Sequence, residues 1–449
     1  MARATANIKL GELRKRIVFT VAMLAIYRLG VFVTTPGVDR KVMQANVASS
    51  GGGILGVMNL FSGGALEQLS IFALGIMPYV SASIIIQLLG MVFKPIEELR
   101  KEGEAGQRKI NQYTRYGTIL LSSMQAFGIA LYLEGLTNVQ IGPGQVGNVV
   151  QHPGWPFRLL TILTLTTGTA FVMWIGEQIT ERGIGNGISL IIFVGIVTDI
   201  PGALVRYYET NEGNLQPLTI FAVLSIILLT VATIVFFERG QRKIPIQYSR
   251  RQVGRRIYGG QAAHLPLRVN TAGTIPPIFA SSLLMFPSTL ANLKIPGAGA
   301  LQQLMSPGDW VFNVLYVAFI IFFCYFYTAV TFQPVDVADN LKKQQAFIPG
   351  IRPGKKTAEY IDRVLTRITL GGSLYVATVC IVPTIVQNYF RVPFYFGGTS
   401  IMIVVGVALD TVQQVESHLV TRNYEGLVGA RATKIRGRRD LAPTEAEEG

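Results

Sequence analysis

The chain has 449 residues, of which 50% are hydrophobic and only 15% charged; mean hydropathy is +0.40 and the formal net charge is +14. A soluble domain is nearer a quarter charged, so this composition excludes a soluble globular protein. Two cysteines, Cys324 and Cys380, each inside an apolar run, exclude a disulfide framework and a CxxC metal site and read as small buried hydrophobes.

Apolar windows of about 20 residues, enough for a hydrocarbon core of roughly 30 Å, recur along the whole chain. They predict ten spans: 17–35, 73–92, 116–133, 157–176, 186–203, 217–237, 272–292, 310–332, 366–386 and 397–417. Span 1 follows a basic arm. No small-residue cleavage site comes after it, so it is expected to remain as a span rather than be removed. Arg28, two-thirds along it, is expected to snorkel or pair with a neighbour, as is Asp410 in span 10. Next comes Phe61–Leu74, FSGGALEQLSIFAL, which is apolar enough to enter a membrane but too short to cross one. Residues 65–74 are expected to form a helix of about 15 Å, half a bilayer, with Gly63 and Gly64 as a flexible entry.

In span 2, Ile76 and Val80 share a face. Ile188 and Ile192 do the same in span 5, and spacing alone reads both pairs as core packing. ERGIGNGIS at 181–189 is only superficially a nucleotide loop, because it follows no strand and opens a span. Its glycines more simply allow a tight turn and close helix packing. Pro78 in span 2, Pro276, Pro277 and Pro287 in span 7, and Pro383 in span 9 are expected to weaken their helices, as plain kinks or as cavity-lining breaks.

Two long basic loops follow spans 6 and 8. In 238–271, KIPIQYS and RRIYGG alternate like strands, which suggests a hairpin-like excursion. In 333–367, Pro349-Gly350 and Pro353-Gly354 frame Arg352, and Thr357 reads as the N-cap of a helix leading to span 9. Their fifteen Lys and Arg exceed what orientation needs. Anchoring to anionic lipid is one account, and docking of an acidic or nucleic-acid partner is another.

With the termini placed inside, 33 of the 40 Lys and Arg fall on the cytoplasmic side and five on the outer side. That bias orients the chain with both ends cytoplasmic. Ten spans then divide into two five-span halves of opposite topology, the pattern of an inverted repeat with a pore or site between the halves. Span interiors lack the carboxylates and histidines of an ion-coupled transporter, so a secondary transporter with inverted repeats is the weaker alternative. No HExxH, GxSG or paired intramembrane aspartates occur, so neither an enzyme nor a metal or other cofactor is expected.

GELRKRI, QYTRYGT (112–118), GEQITERGIGNGISLIIF (176–193), FERGQRK (237–243), AHLPLRVN (263–270), FIPGIRPG (347–354) and VPFYFGGTS (392–400) stand in order over roughly residues 10–425. In these runs the chain resembles the bacterial SecY family, the central channel subunits of the Sec protein translocon. The resemblance implies an all-α membrane protein, ten transmembrane helices in two inverted five-helix halves (1–203 and 204–425) around a central hourglass pore, with a flexible cytoplasmic tail at 426–449. It implies a plug at about 61–74: Ser62, Gly63 and Gly64 at its entry, then Ala65, Leu66, Glu67, Gln68, Leu69, Ser70, Ile71 and Phe72. Glu67 is acceptable there because the funnel holds water. A pore ring is implied at Ile76, Val80, Ile188, Ile192, Ile278 and Ile403, sealing by dewetting. Also implied are a lateral gate formed by spans 2, 3, 7 and 8, and docking of the SecA motor ATPase or the ribosome on Arg242, Lys243, Arg250, Arg251, Arg255, Arg256, Arg352, Lys355 and Lys356. Further expected partners are the SecE and SecG subunits, signal sequences, unfolded preproteins and lipids of the inner membrane.

The charge count makes a direct prediction. A reporter active only outside the cytoplasm should be active when fused within 138–150 and silent when fused within 245–260. The reverse pattern would overturn the orientation.

Overall fold

A computed structural model describes residues 2–49, 59, 62–136, 139–142, 145–210, 217–248, 251–253, 256–258, 262–292, 310–390 and 398–436. In chain order the N-terminal part contains α1 (Ala2–Val31), α2 (Arg40–Ser49), α3 (Met77–Val92), α4 (Lys94–Lys101), α5 (Glu104–Gly135), β1 (Val139–Gly142), β2 (Gln145–Gly147), α6 (Trp155–Arg182) and α7 (Gly187–Thr210). The C-terminal part contains α8 (Pro217–Arg239), β3 (Gln241–Tyr248), β4 (Arg251–Val253), β5 (Arg256–Tyr258), β6 (Ala262–Arg268), α9 (Ile275–Asn292), α10 (Trp310–Thr331), α11 (Pro334–Lys343), β7 (Ala346–Phe347), α12 (Lys355–Phe390) and α13 (Gly398–Arg436).

Each of the ten predicted spans falls on a helix: α1, α3, α5, α6, α7, α8, α9, α10, α12 and α13. By length and apolarity alone, five helices among the described residues suffice to cross a bilayer, or six if the bent pair α3–α4 counts as one. Several prolines sit differently from expectation. Pro78 lies in the first turn of α3, and Pro276 and Pro277 directly follow the first residue of α9. At that position a missing N–H costs nothing, so these residues start helices rather than weaken them. Pro383 is inside α12 as expected, and Pro201 is inside α7. Helix α13 continues to Arg436, past the expected start of the tail at 426, because Ala, Leu, Lys and Arg keep supplying helix-forming residues.

Within the first half, α1 packs on α6 and α7, α3 on α5 and α6, and α6 on α5 and α7. Ion pairs staple the α5–α6 hairpin at both ends. At one end, Nε and Nη2 of Arg158 both donate to Glu134 Oε2, at 2.9 and 2.7 Å. At the other, Arg115 Nε donates to Glu177 Oε1 at 2.8 Å. Within the second half, α10 packs on α9 and α12, and α13 on α8 and α12. The halves meet along two seams, α3 and α5 against α9, and α7 against α13. The turn between α6 and α7 is as tight as its glycines suggested. A Cβ on Gly187 would lie 2.0 Å from the Gly176 carbonyl oxygen, and Gly185 has φ +88°.

The two basic loops fold together. Strand β3 pairs antiparallel with β6, from Gln241↔Arg268 to Gln247↔Ala262. The expected partner run RRIYGG instead contributes β5, which pairs with β4 to form a small hairpin at the tip. β7 adds a third strand on the other side of β3, with Gln247 opposite Phe347 and Tyr248 opposite Ala346. Alternation in β3 turns Ile244 and Ile246 inward, where they join Leu267, Leu341, Ile348, Ile361 and Val364 in one apolar cluster. That cluster is what draws two loops from separate parts of the sequence into one unit.

Candidate functional site

Four helices converge at the centre. Ile76 caps the start of α3, and Val80 stands one turn later, its N–H donating to the Ile76 carbonyl at 3.1 Å. Ile188 and Ile192 come from α7, Ile278 from α9 and Ile403 from α13. Five of the six are buried in one cluster, and Ile188 is half-buried against it. The structure therefore brings together all six residues expected at a neck.

Above this cluster lies the segment leading into α3. The sequence led us to expect a helix over 65–74; the structure has consecutive turns from 63 to 76 instead. Leu69 adopts φ +43°, which a helix cannot continue through. Short turn bonds inside the segment, such as Leu69 N–H to the Leu66 carbonyl and Ser70 N–H to the Ala65 carbonyl, are joined by bonds with the chain at and just beyond the end of α1. Thr35 N–H donates to the Leu69 carbonyl at 2.8 Å, and Ile71 N–H to the Val33 carbonyl at 2.9 Å. Ser70 forms a bridge with Thr34, and its Oγ donates to the Gly30 carbonyl at 2.9 Å. Gly63 and Gly64 take φ +67° and +82°, so the entry uses their left-handed freedom. Phe61, the first residue of the expected segment, lies outside the described residues.

Polar groups anchor the near end. Tyr27 Oη donates to the Ser62 carbonyl at 3.1 Å, and Arg28 Nη1 donates to the Gly63 carbonyl, its guanidinium 5.5 Å from the Phe32 ring centre. Arg28 is thus the partnered arginine of the two alternatives. Asn59 binds Glu67 twice: its Oδ1 accepts from the Glu67 N–H at 2.9 Å, and its Nδ2 donates to Glu67 Oε2 at 3.3 Å. Asn59 was not legible as a site residue, since nothing local marks it.

Side chains of the segment serve three apolar clusters at once. Ala65 and Phe72 join the central one; Leu66, Ala73 and Leu74 pack with Ala126 of α5 and Leu165 of α6; Leu69 joins an outer cap with Val42, Met43, Val149, Val150 and Phe157. The Phe72 ring stacks between Tyr27 and Phe171, at centroid distances of 5.9 and 6.0 Å. Glycines of the surrounding helices permit this approach. A Cβ on Gly30 would fall 2.0 Å from the Phe72 ring, and one on Gly168 would fall 1.9 Å from the Ile71 carbonyl oxygen. Gly63 lies so close to α7 that a Cβ there would come 2.7 Å from Gly195 Cα.

On the loop unit, Arg242 and Lys243 are exposed on β3, and Arg352, Lys355 and Lys356 are exposed around the Pro-Gly turns. Gly350 and Gly354 have φ +81° and +101°. Thr357 is not an N-cap, because α12 already begins at Lys355. Its Oγ1 instead donates to the Arg352 carbonyl at 2.9 Å and pins the turn onto the helix. Arg251 and Arg256 lie in the tip hairpin, Val253 opposite Arg256. Arg250 and Arg255 lie outside the described residues.

Comparisons with known proteins agree with this architecture. The SecY family model matches residues 70–412. Protein translocase subunit SecY of Escherichia coli K12 is 48% identical over 435 residues, 96% of this chain and 97% of that one. The protein of the same name from Rickettsia conorii is 48% identical over 421 residues, 93% and 96% of the respective chains. Among solved structures, one described as a protein conducting channel has TM-score 0.64 at 16% identity, covering 91% of this chain and 93% of that chain. Another, of a SecY protein whose plug domain is described as stabilising the closed state of the translocation channel and maintaining a membrane seal, has TM-score 0.63 at 18% identity with the same coverage.

The glycine cradle predicts how the segment is displaced. Gly168→Ala places a methyl where the Ile71 carbonyl oxygen sits and should drive residues 69–72 out of their seat. Ser70→Cys, a near-isostere at a fully buried position, then reports on it in a background of Cys324→Ala and Cys380→Ala. Maleimide labelling of the introduced thiol should rise about tenfold when Gly168→Ala is added, a shift of roughly 1.4 kcal/mol in the seating equilibrium. Equal labelling with and without Gly168→Ala would contradict the close packing.

Proposed function

The chain belongs to the SecY family, and from that premise we infer that it forms the channel of a protein translocase, passing unfolded polypeptide across the membrane and releasing apolar segments sideways into lipid. The observation that carries this reading is a non-helical segment seated directly above a convergence of aliphatic side chains from four helices of both halves. A neck of stiff aliphatic groups excludes water and ions when empty, yet closes around any extended chain without reading its sequence. The seat combines backbone hydrogen bonds, each with a net worth of about 1 kcal/mol, with the burial of Leu66, Leu69 and Phe72, a cost that an entering polypeptide must offset to displace it.

On this reading residues 62–72 are the plug and Ile76, Val80, Ile188, Ile192, Ile278 and Ile403 the pore ring. The halves 1–203 and 204–425 part along the seam of α3 and α5 with α9, next to α10, to open the gate. Both termini face the cytoplasm, as the charge bias requires, and the membrane is the inner membrane. The chain does no chemistry of its own; a motor or a translating ribosome supplies the work by docking on the basic loop unit. A solved relative of the same fold, canine Sec61 (TM-score 0.60, 16% identity, covering 91% of this chain and 93% of that chain), is described in a ribosome-channel complex. SecE and SecG are the expected companion subunits, with SecA as motor.

The deciding measurement is twofold. Reconstituted with SecE, SecA and ATP, the chain should protect a preprotein inside liposomes. In planar bilayers without motor or substrate, deletion of 62–70 should raise ion conductance, Ile192→Gly with Ile278→Gly should do the same, and the combined variant should leak more than either. If all three stay as silent as the parent, the segment is not a plug and the six residues are core.

The docking surface has its own test. Arg352 is held by two Pro-Gly turns and by the Thr357 hydroxyl on its carbonyl, so its charge is presented in a fixed place. Arg352→Glu should reduce motor-driven translocation at least a hundredfold, about 2.7 kcal/mol, with folding and companion-subunit binding intact. Normal transport by that variant would reduce Arg352 to a solvated loop charge.

A further inference from the structure

The two seams between the halves are built differently on the side of the basic loops. At the seam of α7 with α13, the turn before α7 is tied across directly, the Gly185 N–H donating to Gln414 Oε1 at 2.9 Å. The other seam is flanked by a cavity. A cavity of about 330 Å³ lies between α3, α5 and α10, lined by Tyr79, Ser83, Gln87, Asn111, Thr114 and Tyr327 among others. Gln87 Nε2 donates to Ser83 Oγ at 3.1 Å, while its Oε1 is buried without a protein partner. Aliphatic side chains of α3 and α9 meet in the central cluster, and the cavity interrupts packing between α3, α5 and α10.

What crosses the gap is Arg100. It sits near the end of α4, the short helix that turns away from α3 through 102°. Its Nη2 donates to the carbonyl of Val330, in the last turn of α10, across 230 positions of sequence. A cation on the carbonyl end of a helix is doubly favoured, since it satisfies an orphan acceptor and complements the negative end of the helix dipole. The bond ties the first half to the second beside the seam that would open sideways.

We propose that Arg100 is a latch on the lateral gate that sets how strongly a signal sequence must bind before the gate opens. The proposal rests on the channel reading above. The latch contact exists only while α4 and α10 are adjacent, so it favours the closed arrangement alone. A signal sequence must supply enough differential affinity for the open arrangement to offset it. Weak signals fail at that threshold, and strong ones pass. Arg100 is then a specificity residue rather than part of the conducting path.

Two readouts test this. The first is independent of transport. Spin labels are placed at the exposed positions Glu98→Cys and Ala329→Cys, in a background of Cys324→Ala and Cys380→Ala, in the purified channel without motor. The distance distribution across the gap should broaden toward longer values in Arg100→Ala and return to the parent's in Arg100→Lys, whose ammonium still reaches a carbonyl. The second is transport in reconstituted vesicles. Arg100→Ala should raise transport of a preprotein with a shortened apolar signal by about tenfold, with the intact signal changed less than twofold. An unchanged distance distribution in Arg100→Ala overturns the latch, whatever the transport data. A broadened distribution with no gain for the defective signal overturns its role in specificity. Broadening in Arg100→Ala, with a parent that transports no preprotein at all, upholds the tie between the halves and overturns the channel reading instead.

Discussion

Backbone that is not helical survives at membrane depth only where protein or water satisfies its N–H and C=O groups. Residues 63–76 run as turns beside Tyr27, Arg28 and Gly30, inside the first predicted span, and the surrounding structure follows from that need. Just beyond α1, Val33 and Thr35 pair with the segment. An arginine that would be costly in lipid finds a carbonyl, and Asn59 holds both the backbone and the carboxylate of Glu67. Glycines on α1 and α6 let this irregular backbone approach as closely as a strand would. The seat is specific in geometry, set by these bonds and by the buried Leu69 and Phe72 side chains.

The same logic shapes the surroundings. The Phe72 ring and Leu69 side chain point to different clusters, so the segment joins the central aliphatic convergence to the outer cap. Moving it disturbs both. The two halves, by contrast, touch along two narrow seams and stay internally well tied, with the α5–α6 hairpin stapled by ion pairs at each end. The halves also share the central aliphatic cluster, so a channel that opens by separating them gives up packing along the seams rather than melting its helices.

On the loop side, a three-stranded sheet and the start of α12 form one platform, because Ile244, Ile246, Ile348 and Ile361 share an apolar cluster. This turns the basic residues of two distant loops into one surface. The Thr357 hydroxyl shows how such a surface is made rigid: a side chain from the first turn of α12 holds the carbonyl of the arginine five residues earlier.

Much of this was legible in the chain itself. Hydropathy windows located ten helices, because the cost of exposing backbone and charge to lipid is written into composition residue by residue. Ordered motifs gave the family. The i, i+4 pairs Ile76–Val80 and Ile188–Ile192 were visible as faces, and the glycines near 185 as a tight turn. Other features depended on partners far away in sequence. The expected helix at 65–74 yielded to turns because Leu69 takes a left-handed conformation and Leu69, Ser70 and Ile71 pair with residues 30–35. Pro78, Pro276 and Pro277 proved to be helix starters once the true helix ends were set by neighbouring chain. Strand β3 took β6 and β7 as partners rather than the nearer run, because burying Ile244 and Ile246 required them. Asn59 and Arg100 carried no local signal at all. Span location is a sum of local transfer costs, which sequence records; pairing, capping and the latch between α4 and α10 are contacts between distant residues, and only the tertiary structure decided those.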